Sequence, residues 1–156
     1  MFQISSPSPL GPLILTSDGT FLTGLTLGDV ETETSAELPL FREAVRWLNL
    51  YFSGQDPGPT PPLQLAGTPF QLAVWGMLRE IPYGQSVTYG ELARRLQDQG
   101  LRASAQAVGG AVGRNPLLLL IPCHRVLGRG GTLTGYAGGL DAKAQLLDLE
   151  AIPYHR

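Results

Sequence analysis

The sequence predicts an α+β fold, in which a small antiparallel sheet with one helix precedes a mainly helical part. Strand-like segments separated by turn-forming residues come first, at residues 2–6, 13–16 and 21–27. Apolar residues at helical spacing then predict a helix over 39–52, and the signals after residue 68 are almost all helical. Between these parts, 54–67 is rich in proline and glycine, which is typical of a linker. We therefore expect two domains, residues 1–60 and 61–156.

The N-terminal segments predict a meander with a helix beside it. Ser17-Asp18-Gly19-Thr20 favours a hairpin turn between the second and third strands. The following helix ends at Ser53-Gly54, and its apolar stripe includes Phe41, Ala44 and Leu48. No group of residues here suggests catalysis, so we interpret this half as a scaffold.

Helix-capping patterns place the C-terminal helices. Thr68 precedes Pro69 as an N-cap, and Thr88 with Glu91 fits a capping box. Ser104 is expected to cap a short helix over 105–112, and Asp141 to cap the last helix. The helix after Thr88 and the helix after Ser104 are short and joined by a turn, which predicts a helix-turn-helix.

The second helix of this pair consists almost wholly of small residues, Ala-Gln-Ala-Val-Gly-Gly-Ala at 105–111. A glycine inside a helix costs roughly 1 kcal/mol against alanine, so a compensating gain is expected. One explanation is a neighbouring backbone that packs closely against it. The other is insertion into the minor groove of DNA, which is about 6 Å wide and excludes a bulky helix.

Charge is distributed unevenly, although the net charge of the whole chain is only −2. Residues 1–67 carry two arginines and seven acids, and residues 130–156 carry two basic residues and three acids. Residues 68–129 carry seven arginines and three acids. This basic island has two interpretations from charge alone: a surface that faces phosphates, or an ordinary solvated helical face.

The only cysteine follows the most apolar stretch of the chain. Residues 117–121 predict a buried strand or another core segment, and Pro122 ends it. Cys123 comes next, with His124 and Arg125 beside it. A lone cysteine is commonly an inert core residue, whereas a neighbouring base or cation favours the reactive thiolate. The neighbours of this cysteine favour a nucleophile.

Composition excludes several classes of protein. One cysteine and two histidines rule out an intramolecular disulfide and a cysteine-rich zinc site. No apolar run approaches the roughly 18 residues of a membrane span, and the N-terminus has no secretory signal pattern. We expect a cytoplasmic protein with a reduced thiol, no metal, no membrane partner, and a monomeric state.

Several motifs in the C-terminal part resemble those of the O6-alkylguanine-DNA alkyltransferases, also called methylated-DNA–protein-cysteine methyltransferases. They are Thr-Pro-Phe-Gln-Leu-Ala-Val-Trp (68–75), Ile-Pro-Tyr-Gly (81–84), Thr-Tyr-Gly-Glu-Leu-Ala (88–93), Ala-Val-Gly-Gly-Ala (107–111), Arg-Asn-Pro (114–116), Ile-Pro-Cys-His-Arg-Val (121–126), Gly-Tyr-Ala-Gly-Gly-Leu (135–140) and Lys-Ala-Gln-Leu-Leu (143–147). All fall in the order of that family.

The resemblance implies an RNase H-like N-terminal domain and a winged helix-turn-helix-like C-terminal domain. It also implies DNA repair by single-turnover transfer of an alkyl group from O6-alkylguanine in double-stranded DNA to a cysteine, without a cofactor. The resemblance further implies that the protein approaches the flipped nucleotide from the minor groove. Whether O4-alkylthymine is also accepted stays open.

The resemblance also assigns roles to individual residues. It implies that Cys123 accepts the alkyl group, that His124 deprotonates Cys123 through a water, and that Glu150 holds His124. Asn115 is implied to brace the turn between the recognition helix and the active-site segment, and Tyr89 is implied to donate a hydrogen bond to guanine. Tyr136 and Pro122 are implied at the base pocket, with backbone groups near Val126 and Ala137. Contacts with DNA are implied for Thr88, Arg102, Gln106, Ala107, Gly110, Arg114 and Arg125.

One position departs from the family pattern. Family members usually have arginine before Ala-Val-Gly-Gly-Ala, where it fills the space left by the flipped base, and this chain has Gln106. Glutamine lacks the cation and the stacking plane of arginine. We expect weaker flipping, with Arg102, one turn earlier, as a substitute cation. The alternative is a protein that senses alkylated DNA and transfers weakly.

Other functions fit the residues less well. Alkyltransferase-like sensing proteins lack the acceptor cysteine, which this chain has. A helix-turn-helix transcription factor needs base-reading side chains on its second helix, which offers only Gln106. A cysteine hydrolase needs a separate histidine and an oxyanion hole, and the other histidine is the penultimate residue, His155.

Overall fold

The computed structural model describes residues 1–34, 37–136 and 138–156, and it divides into two compact units. The first comprises Met1–Leu65 with Pro116–Leu120, and the second comprises Ala66–Asn115 with Ile121–Arg156. The predicted α+β class is confirmed. A short segment of the second half of the sequence therefore lies in the first unit, which a single division at residue 60 did not anticipate.

The first unit contains a three-stranded antiparallel sheet in sequential order, β1-β2-β3. Its strands are β1 (Phe2–Ser6), β2 (Leu13–Ser17) and β3 (Leu22–Leu27). Leu15 and Leu25 are opposite each other in the register and both are buried. The β2–β3 turn uses Gly19 at φ 107°, a left-handed conformation that glycine adopts without a steric penalty. The predicted meander is confirmed.

Helix α1 (Pro39–Phe52) begins and ends where the sequence predicted. Its buried face consists of Leu40, Phe41, Ala44, Trp47, Leu48 and Tyr51. The proline-rich stretch after it is tied back to the helix, since the indole Nε1 of Trp47 donates to the carbonyl of Gly58 at 3.1 Å. This unit buries an apolar core and contributes none of the residues implied in the chemistry.

The apolar run 117–121 is a core segment and not a strand. All five residues are buried, but only Leu117 forms a bridge, with Leu25. The chain then turns, because the Leu120 amide donates to the Leu118 carbonyl at 2.8 Å around Leu119. Leu119 has φ 70°, which is unfavourable for a side chain with a Cβ. The bridge consists of two hydrogen bonds of 3.0 Å, from the Leu25 amide to the Pro116 carbonyl and from the Leu118 amide to the Leu25 carbonyl. The pairing ends there because the chain turns, so the strand alternative is wrong.

The second unit is mainly helical. Its helices are α2 (Pro69–Arg79), α3 (Tyr89–Asp98), α4 (Ala105–Gly113) and α5 (Leu140–Leu149). Two short strands, β4 (Val87–Thr88) and β5 (Val126–Leu127), pair in parallel. Helices α2 and α3 both pack against α4, and the Trp75 indole donates to the Ala111 carbonyl at 2.9 Å. The α3–α4 pair is the predicted helix-turn-helix.

Most predicted caps are present. Thr68 and Gln71 form a complete capping box, and the Ser104 hydroxyl accepts from the amide of Ala107. Thr88 accepts from the Glu91 amide, but the Glu91 carboxylate meets the Thr88 hydroxyl and not its backbone, so this box is half formed.

The prediction that Asp141 caps the last helix is wrong. Helix α5 begins two residues earlier, since Gly139 is its N-cap with φ 96°. Asp141 instead lies in the first turn, where a carboxylate interacts favourably with the helix dipole.

Candidate active site

Cys123 is placed by a tight turn centred on Pro122. The Cys123 amide donates to the Ile121 carbonyl at 2.8 Å, and Pro122 has φ −78° and ψ 64°, the geometry of an inverse γ-turn. A single 3₁₀ turn, Cys123–Arg125, follows and leads into β5. The proline ring restricts φ to this range, so the sequence itself holds the cysteine at the turn.

Cys123 lies in the wall of a large cavity within the second unit and is only 3% exposed. The cavity has a volume of about 1310 Å³. Its walls come from three segments: the start of α3 (Thr88, Tyr89, Gly90, Glu91, Arg94), α4 (Ala105, Gln106, Gly109, Val112, Gly113), and the chain from the cysteine through the next loop (Cys123, Arg129, Gly130, Thr134, Gly135, Tyr136). A ligand of the size of a nucleobase therefore fits beside the sulfur.

His124, the residue after the cysteine in the sequence, belongs to a buried acid–base pair. The Nε2 atom of His124 is 2.5 Å from Oε2 of Glu150, and both side chains are fully buried. Burial raises the pKa of Glu150, but the contacts with His124, Arg125 and the Gly84 amide outweigh it and hold the pKa at about 2. Burial lowers the pKa of His124, so its imidazole is neutral at pH 7 and able to accept a proton.

The expectation that Arg125 contacts DNA is corrected by its surroundings. The side chain is buried, its Nε donates to Glu150 Oε1 at 2.8 Å, and its Nη1 donates to the Ile81 carbonyl at 2.8 Å. The guanidinium also lies over the ring of Tyr83, 5.7 Å from the centroid. These contacts occupy the Nε and Nη1 donors and pair the positive charge with Glu150, so Arg125 orients Glu150 from inside the protein.

Asn115 lies where a hinge brace is needed. Its Nδ2 donates to the Ile121 carbonyl at 2.8 Å, which ties the end of α4 to the turn before Cys123. A hydrogen bond between the Asn115 side chain and the thiol also lowers the pKa of Cys123. Burial is the larger influence, and the net effect is a raised pKa for this thiol. Deprotonation of Cys123 therefore needs a base.

Lys143 is a component of the site that the sequence analysis missed. Its side chain is fully buried on α5, and its Nζ donates to the carbonyls of Val126 at 2.7 Å and Thr134 at 3.1 Å. Burial lowers the pKa of Lys143 to about 8, and its positive charge lowers the pKa of Cys123. The sequence contains a sign that Lys143 is buried. It stands four positions before Leu147 and seven before Glu150, which is the spacing of residues on one face of a helix.

Two tyrosines face the cavity. The Tyr89 hydroxyl accepts a hydrogen bond from Thr134 at 3.2 Å, and its ring lies 5.9 Å from the Lys143 ammonium. The buried hydroxyl of Tyr136 interacts with the Cys123 thiol, and burial, followed by this interaction, raises the pKa of Tyr136 well above the usual value.

The remaining residues expected at the base pocket are placed differently. Pro122 and Val126 are buried and do not line the cavity. The Val126 carbonyl accepts from Lys143. Ala137 lies outside the described residues.

The residues expected to contact DNA divide into two groups. Thr88 and Gln106 line the cavity, while Ala107, Gly110 and Arg114 are exposed on or just after α4. A side chain added at Gly110 would meet no atom within 4 Å. Close packing therefore does not explain this glycine.

Arg102 does not lie one turn before Gln106, as had been expected. Residues 101–104 are not helical, because α4 begins at Ala105, and Arg102 does not line the cavity. Two arginines that the sequence analysis did not single out, Arg94 and Arg129, do line it. Both are exposed, and neither forms an ion pair with any described residue.

A metal-binding cluster and a membrane-spanning helix are both absent from the described residues. No group of three or more histidine, cysteine, aspartate or glutamate side chains is arranged to hold a metal ion. None of the helices found there is both long enough and apolar enough to span a membrane.

Comparison with known proteins identifies the family of the chain. The chain matches two family descriptions, "6-O-methylguanine DNA methyltransferase, ribonuclease-like domain" over residues 1–65 and "6-O-methylguanine DNA methyltransferase, DNA binding domain" over residues 69–152. A methylated-DNA–protein-cysteine methyltransferase of Haemophilus influenzae is 46% identical, over 95% of this chain and 85% of its own. One of Mycobacterium leprae is 45% identical, over 94% and 90%.

A solved structure extends the similarity to three dimensions. The OGT protein of Mycobacterium tuberculosis, in complex with DNA, superposes with a TM-score of 0.83 at 40% identity and covers 96% of this chain and 92% of its own. The cysteine, its buried acid–base pair and the helix-turn-helix all lie within residues 69–152, which the second family description matches. The protein therefore belongs to the 6-O-methylguanine DNA methyltransferase family.

Proposed function

We propose that this protein repairs O6-alkylguanine in double-stranded DNA by moving the alkyl group to the sulfur of Cys123 in a single turnover. The observation that carries the proposal is the position of the only cysteine in the wall of a cavity of about 1310 Å³, with the His124–Glu150 pair beside it. Its relatives are named for transfer from methylated DNA to a protein cysteine.

The proposed reaction balances without a cofactor. His124, acting through a water, takes the proton of the Cys123 thiol, and Glu150 stabilises the imidazolium that forms. The thiolate attacks the alkyl carbon, the S–C bond forms, and the O6–C bond breaks with its electron pair left on guanine. Tyr89 supplies a proton to the departing base. The thioether is stable in water, so the protein is consumed.

Flipping of the nucleotide follows from the burial of the sulfur. A base stacked in a duplex does not reach the sulfur of a residue that is only 3% exposed in a cavity wall, so the damaged nucleotide rotates out of the helix. Helix α4 is narrow enough for the minor groove, and its exposed face carries Ala107 and Gly110. Gln106 belongs to this helix and lines the cavity, so its side chain is available to fill the space that the flipped base leaves in the duplex.

The direct test is to locate the transferred group. The parent protein, Cys123→Ala and Cys123→Ser are incubated with duplex DNA containing O6-methylguanine, and peptides are analysed by mass spectrometry. We expect one methyl group per parent molecule on the peptide containing Cys123, and none on either variant. Methylation at another residue, or demethylated DNA after reaction with Cys123→Ala, would contradict the proposal.

Gln106 supports a second candidate, a protein that senses alkylated DNA and transfers slowly. Gln106→Arg restores the cation usual in the family, and its rate is compared with that of the parent on alkylated duplex and on free O6-benzylguanine. If flipping limits the parent, the variant is faster on the duplex and equal on the free base, which needs no flipping. Equal rates on the duplex would remove Gln106 as the limiting feature.

A further inference from the structure

Thr134 is held in place by three separate contacts in the cavity wall. Its hydroxyl donates to the Tyr89 hydroxyl at 3.2 Å, and its carbonyl accepts from Lys143 Nζ at 3.1 Å. Its methyl group lies so close to Gly128 that a Cβ there would be 2.7 Å away. The side chain is therefore fixed with its hydroxyl directed at Tyr89, 45 positions away in the sequence.

The bond from Thr134 constrains what Tyr89 is able to do. A phenol oxygen that accepts one hydrogen bond keeps its own proton free to donate elsewhere. The other side of the ring faces α4, where a Cβ at Gly109 would be in ordinary contact at 3.8 Å. Burial raises the pKa of Tyr89, and the bond from Thr134 opposes that rise.

We propose that Thr134 is a positioning residue that makes Tyr89 the proton donor to the departing guanine. This inference rests on the proposed function. As the O6–C bond breaks, the Tyr89 hydroxyl gives its proton to the base, and its oxygen keeps the electron pair of the O–H bond. The Thr134 hydroxyl then donates to a phenolate, and hydrogen bonds to an ionised acceptor are stronger than those to a neutral one. Solvent later returns the proton to Tyr89.

Two substitutions separate the hydroxyl from the rest of the side chain. Thr134→Val keeps the branched shape against Gly128 and removes the hydroxyl, while Thr134→Ser keeps the hydroxyl. The first-order rate constant of transfer is measured at saturating O6-methylguanine duplex, and the dissociation constant is measured separately. We expect Thr134→Val to lower the rate constant roughly tenfold with unchanged affinity, and Thr134→Ser to stay within about twofold of the parent.

The same substitution in a Tyr89→Phe background tests whether the effect passes through Tyr89. We expect Thr134→Val to have no further effect there. A parent-like rate for Thr134→Val, or an equal loss in both backgrounds, would overturn the assignment, because either result makes the hydroxyl irrelevant to Tyr89.

Alkylation of Cys123 by iodoacetamide distinguishes a loss of proton donation from structural damage to the thiol. Only structural damage would change the alkylation rate. Iodide leaves without a proton, so we expect Thr134→Val and the parent to react at the same rate across the pH range. A slower reaction would show that the substitution damages the thiol and would also overturn the assignment. Absence of the alkyl group from Cys123 of the parent would overturn the proposed function, whatever the variants do.

Discussion

Two buried charge arrangements flank the same cysteine, and they differ in how their charges are balanced. In the first, Glu150 contacts both His124 and Arg125, so a carboxylate lies between an imidazole and a guanidinium. In the second, the ammonium of Lys143 is held by two backbone carbonyls, and no described carboxylate is within ion-pair distance of it. Removing one partner of a buried ion pair is strongly destabilising, because it leaves the other charge uncompensated. A buried charge without a counter-ion costs free energy and is typical of functional sites.

The difference indicates separate tasks. The Glu150 cluster holds His124 in one orientation and keeps Arg125 inside. The Lys143 ammonium lowers the pKa of Cys123, because its positive charge is able to balance a thiolate there. The comparison predicts that loss of the first arrangement damages the fold and that loss of the second damages reactivity.

The largest effect is expected for Glu150→Gln. This change leaves the buried Arg125 guanidinium without a counter-ion, which typically costs about 3–5 kcal/mol of unfolding free energy. Urea unfolding measures the loss, with Asp98→Asn, an exposed carboxylate at the end of α3, as the control expected to stay within about 0.5 kcal/mol. A loss below about 1 kcal/mol for Glu150→Gln would mean that the cluster does not stabilise the fold.

Acid should remove the same contribution. The pKa of Glu150 is about 2 when folded, below the ordinary value of 4.5, so its stabilisation is complete above pH 4.5 and is lost as the pH falls towards 2. A lowered pKa for His124 adds an earlier loss below pH 6.5. We expect the difference in unfolding free energy between the parent and Glu150→Gln to shrink by up to about 3 kcal/mol between pH 5 and pH 2. A difference that is independent of pH would contradict the assignment.

Lys143→Met tests the other half of the comparison. The pKa of Cys123 should rise further without the ammonium, so iodoacetamide alkylation should require higher pH than in the parent. The unfolding free energy should change by less than about 1.5 kcal/mol, since replacing a buried charge by an apolar side chain of similar length is often neutral. Arg129→Met, at an exposed position of the cavity, is the control expected to leave the alkylation profile in place. A large loss of stability with an unchanged profile would make Lys143 a structural residue.

How well the sequence predicted each part depends on how local the interaction is. The N-caps at Thr68 and Ser104 involve atoms three residues apart, and both are confirmed. The resemblance was misleading for Arg125 as a DNA contact, because its side chain donates to Glu150 and to the Ile81 carbonyl inside the protein. The contacts of Tyr89 with Thr134 and of Lys143 with Val126 join segments that are far apart in the sequence. Tertiary packing brings those segments together, so no local pattern predicts such pairs.

The smallest effect is expected at the exposed arginines, where solvent balances the charge. Arg94 lines the cavity and has no ion-pair partner among the described residues, so a DNA phosphate is a suitable counter-ion. Each phosphate contact contributes about 0.9 to the slope of log K against log salt concentration. We expect Arg94→Gln to reduce the steepness of that slope by about 0.9 for an undamaged duplex, measured by fluorescence anisotropy. Arg79→Gln, which removes an exposed arginine away from the cavity, should keep the parent slope. Equal slopes for Arg94→Gln and the parent would place the phosphate contacts elsewhere on the basic island and would limit the comparison to the buried charges.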